Sequence, residues 1–214
     1  MSLQTYPNNS QSPRILLIPG YGTGVTYTPW RRRVDPYRGF KAFAHQANVE
    51  IFTWGSEARY SLSQSLNPLT PYFLYYQEKQ LLEDAVLQAR LRTTLHSFRP
   101  EIVIAHSLGS VLFLKTALLP SAGLRRLVFV NSDLRLTAQV ITVLQTFKDN
   151  GVELFNVHCF WDQALLVSSL LSFSQPLGLG PNPLFKNFFL PLFGAPNLHE
   201  SSLASTRLVK IALN

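Results

Sequence analysis

The sequence has one cysteine, Cys159, and one methionine among its 214 residues. A lone thiol excludes an internal disulfide framework and fits a reducing compartment, so a cytoplasmic setting is expected. Charge is scarce as well: 14% of the residues are Asp, Glu, Lys or Arg, against 46% hydrophobic. That much apolar material is enough for a large core and argues against disorder. Even so, no apolar run reaches the ~18 residues that a bilayer span requires. The opening "MSLQTYPNNSQSP" lacks the basic-then-apolar layout of a signal peptide. There is no Gly-Lys-Ser/Thr phosphate loop, no complete dinucleotide fingerprint and no metal-ligand spacing. Neither a cofactor nor a metal is expected.

The little charge that is present is lopsided, with 19 Lys and Arg against 12 Asp and Glu, a net +7. A basic surface suits an anionic substrate, a membrane face or nucleic acid. The tightest cluster is Arg31, Arg32 and Arg33, and three adjacent arginines read first as a solvated face. With no RNA-binding signature beside them, no nucleic-acid partner is expected. A peripheral membrane contact stays open, and oligomeric state cannot be read from the sequence.

Short runs rich in Val, Ile and Leu fall at 14–19, 49–54, 101–105, 125–131 and 152–160, and one more strand is expected within 185–192. Between them lie helical patterns. The clearest covers 77–98, ahead of Pro100. Others are expected around 37–48, from Ser107 to about 119, over 135–148, briefly after 163, and over about 200–212. On the third of these, Leu136, Val140, Leu144 and Phe147 share a face. Alternation of this kind, with strands apolar on both faces, predicts a mainly parallel sheet of about six strands with helices on both sides. The length suits a single domain, 1–214, with residues 1–12 as a flexible tail. Two segments rich in Leu, Phe, Tyr and Pro, 55–76 and 163–193, follow strand ends and are expected to cover or line a pocket; 55–76 reads as an irregular loop.

Parallel sheets place their sites at the carboxyl ends of the strands. After the first strand comes "PGYGTG", which by itself is a tight turn. After the third comes "AHSLGS". Strand, serine and helix in that order fit a nucleophile elbow, in which the serine sits in a strained turn. Residues two before and two after it must be small, and Ala105 and Gly109 are. The plainer alternative is that Ser107 only caps the helix.

A serine hydroxyl needs a base, and the base needs an orienting acid. His45 and His96 lie in or near predicted helices, His158 lies within a strand, and His106 should point away from Ser107. His199, in "GAPNLHESS", follows the last expected strand and is the candidate base. Two acids follow strand ends between Ser107 and His199: Asp133 in "FVNSD" and Asp162 in "HCFWD". Asp162 is favoured because its strand is the nearer neighbour of the histidine's, with Asp133 as the alternative. Either could instead cap a helix.

"AHSLG", "PGYG" and the chain order Ser–Asp–His together resemble the α/β-hydrolase superfamily over nearly the whole chain. Ala105 stands where that family's first glycine usually does. The resemblance implies a three-layer α/β-hydrolase fold. It also implies an oxyanion hole made by the backbone amides of Tyr21 and Leu108, and an acid after the strand that Asp162 follows. At this length the chain is similar to minimal members, such as the small serine hydrolases of the retinoblastoma-binding-protein type. The expected activity is cleavage of a small-molecule carboxylic ester with an apolar acyl group, in the manner of an esterase or lipase. A thioesterase or acyltransferase would use the same triad, and a non-catalytic ligand-binding protein could keep the scaffold.

Overall fold

The computed structural model describes residues 12–20, 22–23, 25–28, 31–46, 48–54, 70–190 and 198–214. The fold class is α/β. Six strands form one sheet: β1 (Ile15–Ile18), β4 (Val49–Ile51), β5 (Ile102–His106), β6 (Arg126–Val130), β7 (Glu153–His158) and β8 (Lys186–Phe189). Their spatial order is β4-β1-β5-β6-β7-β8, and every pairing is parallel. All six strands fall within the apolar runs expected from the sequence, except that β5 extends one residue further, to His106.

Alternating side chains send the central strands' residues into two separate cores. Leu16, Val103, Leu127 and Leu154 pack on one face against α2 (Ala85–Phe98), α3 (Leu108–Thr116) and α4 (Ala138–Asp149). Ile15, Ile102, Val128 and Phe155 pack on the other against Phe40, Phe43 and the C-terminal α7 (Thr206–Leu213). Helices therefore cover both faces, because strands buried on both sides need two apolar partners.

Five sequence expectations change. The single helix expected over about 200–212 is broken into a short helix Leu198–Ser201, a 3-10 turn Ser202–Ala204 and α7, which Ser205 caps by accepting from the Arg207 amide at 3.3 Å. Residues 77–98 are not one helix. α1 (Thr70–Leu81) ends first, and Asp84 then caps α2 by accepting from the Val86 amide at 2.8 Å. The expected irregular loop 55–76 is helical from Thr70 onward, while 55–69 lies outside the described residues. The helix expected around 37–48 shrinks to a 3-10 turn, Lys41–Phe43. Asp35 draws the amides of Tyr37 and Gly39 into a turn ahead of it, and Arg38 and Gly39 take positive φ. Finally, the Arg31–Arg33 cluster lies on a strand: β2 (Val25–Thr28) pairs antiparallel with β3 (Arg31–Val34). The β-branched and aromatic run Val-Thr-Tyr-Thr carried that signal. Of the other segments, 163–193 contributes α5 (Gln163–Ser172), a 3-10 turn and β8, and the proposed tail 1–12 is described only at residue 12.

The chain runs from β1 to β4 on one side, then crosses back to place β5 on the other. That switch opens a crevice beyond the carboxyl ends of β1 and β5. Register brings the ends level: Ile18 pairs with Ala105 and His106 with Val130. Gly109 makes the junction close. A Cβ there would come within 2.5 Å of the carbonyl oxygens of Ile18 and Pro19, both fixed backbone. Gly109→Ala is therefore expected to destabilise the protein by about 1–3 kcal/mol through overpacking. A denaturant midpoint unchanged from wild type would show that the helix can back away from β1.

Candidate active site

Ser107 sits where β5 meets α3, with φ 51° and ψ −125°. Such a conformation costs an L-residue about 1–3 kcal/mol and persists only where the surroundings hold it. They do so on both sides of the residue. Its amide donates to the Val130 carbonyl at 3.1 Å. Its carbonyl accepts from the Ser110 amide at 3.1 Å, the Asp133 amide at 3.3 Å and the Ser110 hydroxyl. Ser132 extends this network through Ser110 Oγ at 2.6 Å. The side chain takes no part in it: Ser107 occupies the N-cap position but makes no side-chain capping bond. The capping alternative thus fails for the hydroxyl.

Gly20 brings the loop after β1 up against the elbow. A Cβ on it would lie 2.5 Å from Ser107 Cβ and 3.0 Å from His106 Nδ1. Leu108, the first residue of α3, presents its amide where helix N–H groups lack intrahelical partners. Tyr21, the other expected oxyanion donor, lies outside the described residues. Ala105 is fully buried.

Asp162 and His199 meet. His199 Nδ1 donates to Asp162 Oδ2 at 2.6 Å, and the other carboxylate oxygen accepts from the Leu165 amide at 3.0 Å. Asp162 is wholly buried at the N-cap of α5, while His199 lies on the short helix α6 (Leu198–Ser201) and is partly exposed. Because the carboxylate can only accept, Nδ1 carries a proton, and in the neutral imidazole Nε2 is then the nitrogen with the free lone pair.

Asp133 is engaged elsewhere. Its Oδ1 meets Arg135 Nη1 and Ser168 Oγ, each at 2.7 Å, and its Oδ2 accepts from the Tyr75 hydroxyl. Burial and the neighbouring Asp133 hold the Tyr75 phenol well above its ordinary range, so it stays a donor.

His106 and Asn131 are the residues that sequence reasoning missed. His106 follows strand alternation onto the face of Ile102 and Ile104, and His199 rises on that same face. Their rings lie 4.5 Å apart. His106 Nε2 meets the His199 backbone oxygen at 2.9 Å, and Asn131 Nδ2 donates to that same oxygen at 3.0 Å. A carbonyl only accepts, so Nε2 of His106 holds the proton and Nδ1 accepts from Thr23 Oγ1 at 3.2 Å. These two side chains fix the backbone that carries His199. The available signal was positional, since Asn131 directly follows β6 and His106 ends β5.

Burial, and then the nearby His199, push His106 well below its ordinary pKa. Burial alone lowers His158 too. Below the unfolded histidine value the unfolded chain binds protons that the folded chain refuses, so acid favours unfolding. Stability is expected to fall as pH drops below about 6.5, by up to about 1.4 kcal/mol per pH unit for His106. Urea unfolding at stepped pH measures this, and a flat profile between neutrality and pH 5 would contradict it.

On the face covered by α3 and α4 a cavity of about 510 Å³ is lined by Leu108, Val111, Leu134 and Val140 together with Lys79, Glu83, Lys115, Asp133 and Arg135; Ser107, Asp162 and His199 do not line it. Among the described residues, no cluster of acidic, histidine or cysteine side chains could hold a metal ion, and no helix is long and apolar enough to cross a membrane. The chain matches no family model, no curated protein and no solved structure.

Proposed function

We propose that this chain is a serine hydrolase of the α/β-hydrolase type, cleaving carboxylic esters through an acyl-enzyme. The observation that carries the reading is the Asp162–His199 hydrogen bond at 2.6 Å, formed at the same end of the sheet as a serine held at positive φ. Ser107 Oγ attacks the acyl carbon and passes its proton to His199 Nε2. The imidazolium then protonates the departing alkoxide, and water releases the acyl group by the reverse proton route. Asp162 fixes the imidazole tautomer and stabilises the transient cation. A neutral His106 suits this step, because a second cation beside His199, with ring centroids 4.5 Å apart, would oppose its protonation.

The Leu108 amide, at the positive end of α3, would hold the oxyanion, with the Tyr21 amide as its partner by resemblance. Labelling with a fluorophosphonate probe tests the reading directly. Modification at Ser107 is expected, and a protein that stays unlabelled at high probe excess has no activated serine. A panel of nitrophenyl esters and matched thioesters then separates esterase from thioesterase.

A further inference from the structure

Residues 163–185 contain no charged side chain and no histidine. Much of this stretch faces outward. On α5, Leu170 is 74% and Leu171 58% exposed, with Leu166 beside them, and Phe173 just past the helix is 97% exposed. Phe160 and Trp161, immediately before Asp162, are exposed as well. The surface continues onto α1, where Phe73 and Tyr76 share an outward face. The two helices touch through Tyr75 and Ser168, whose hydroxyl oxygens lie 2.9 Å apart.

Most of the hydrogen-bonding groups of this region are engaged within the protein. Arg135 gathers the hydroxyls of Ser168, Ser172 and Ser174 and the Asp133 carboxylate. The carboxylates nearby are also engaged: Asp162 with His199, Glu83 with Lys115, while Glu78 is buried. What remains outside is chiefly leucine and phenylalanine, with the uncharged Gln163, Ser174 and Gln175 among them, bordered by the amphipathic rings of Trp161 and Tyr76, with Lys79 one turn beyond on α1. Apolar side chains edged by Trp, Tyr and Lys suit the boundary between headgroups and acyl chains.

We propose that this α5–α1 face docks on an anionic phospholipid surface. The charge decides between a membrane and a second copy: a chain of net +7 is drawn to an anionic leaflet and repelled by its own kind. Asp162 caps α5, and the exposed Phe160 and Trp161 directly precede it, so this end of the docking face adjoins the candidate triad. A lipid-borne ester as substrate then rests on the hydrolase reading given above, whereas the docking itself does not.

The test uses the full-length Ser107→Ala protein, which cannot turn over lipid, in flotation with vesicles of phosphatidylcholine containing phosphatidylserine. Binding is expected, weaker on phosphatidylcholine alone and weaker in high salt. The variant that also carries Leu170→Asp and Phe173→Asp is expected to lose about tenfold or more in bound fraction, at an unfolding temperature close to its parent's, since both side chains are exposed. Absence of flotation, equal flotation of the two proteins, or a dimer in gel filtration that the double substitution dissolves would each overturn the proposal. Probe labelling of Ser107 in vesicle-free buffer reports on the hydrolase reading separately, so the two can fail independently.

Discussion

Ser107→Ala is expected to lower kcat for p-nitrophenyl butyrate by about 10⁵-fold or more while leaving the fold intact. The size of the first effect follows from chemistry. Without the hydroxyl no acyl-enzyme forms, and only oriented water and the oxyanion donors remain. The second expectation follows from geometry. The hydroxyl makes no capping bond, and the bonds that clamp residue 107 come from its backbone amide and carbonyl, which alanine keeps. A serine that served only as a helix cap would behave in the opposite way. Its removal would cost about 1 kcal/mol of stability and no turnover. Ser107→Gly sharpens the contrast. At φ 51° and ψ −125° glycine relieves strain that alanine retains, so the glycine variant is expected to be inactive yet more stable than the alanine variant. Turnover and unfolding temperature measured on the same preparations decide the matter; an active Ser107→Ala protein would falsify the assignment.

What could be read from the sequence divides along a physical line. The six sheet strands are buried on both faces, so each appears as a short, nearly unbroken apolar run, and each lay where its run predicted. The strained strand-to-helix turn at Ser107 was equally legible. The strained turn tolerates only small flanking residues, and Gly109 abuts two carbonyls of the β1 end at 2.5 Å. The β2–β3 hairpin was not, because the arginines of β3 read as a charge cluster and hid the pairing of Tyr27 with Arg32. The break before α2 was missed for a similar reason. Apolar spacing runs on through residues 77–98, while a single carboxylate, Asp84, decides where the helix restarts.

The site's supporting residues were less accessible still. His199 reached the candidate list by its place in chain order, and its contact with Asp162 matches that order. His106 and Asn131 act on the backbone oxygen of a residue 93 and 68 positions away, and no local pattern encodes such a contact. The apolar surface of α5 was visible in outline. Composition marked 163–193 as rich in Leu and Phe, but only the structure separates Leu165, which is buried, from Leu170 and Phe173, which are not.

Asp162→Asn is expected to reduce kcat by about 10³- to 10⁴-fold with little change in KM. The carboxylate has two tasks, one for each oxygen. Oδ1 accepts from the Leu165 amide and Oδ2 accepts from His199 Nδ1–H. Asparagine offers one acceptor and one donor, so it cannot do both. If its oxygen keeps the cap on α5, its NH₂ faces Nδ1 and forces the other imidazole tautomer. Nε2 is then protonated and cannot take the serine proton. If its oxygen faces His199 instead, the Leu165 amide is left buried without a partner, at about 1–3 kcal/mol. Asp133→Asn should behave differently. That carboxylate pairs with Arg135 and accepts from Ser168 and Tyr75, with no contact to His199. Neutralising it leaves a largely buried guanidinium without its counter-ion, expected to cost about 3 kcal/mol of stability, while kcat of the folded fraction stays within severalfold of wild type. The pair of variants, scored for turnover and for unfolding free energy, therefore assigns the acid. Loss of turnover in Asp133→Asn and its retention in Asp162→Asn would hand the role to the wrong residue for the 2.6 Å contact on which the proposal stands.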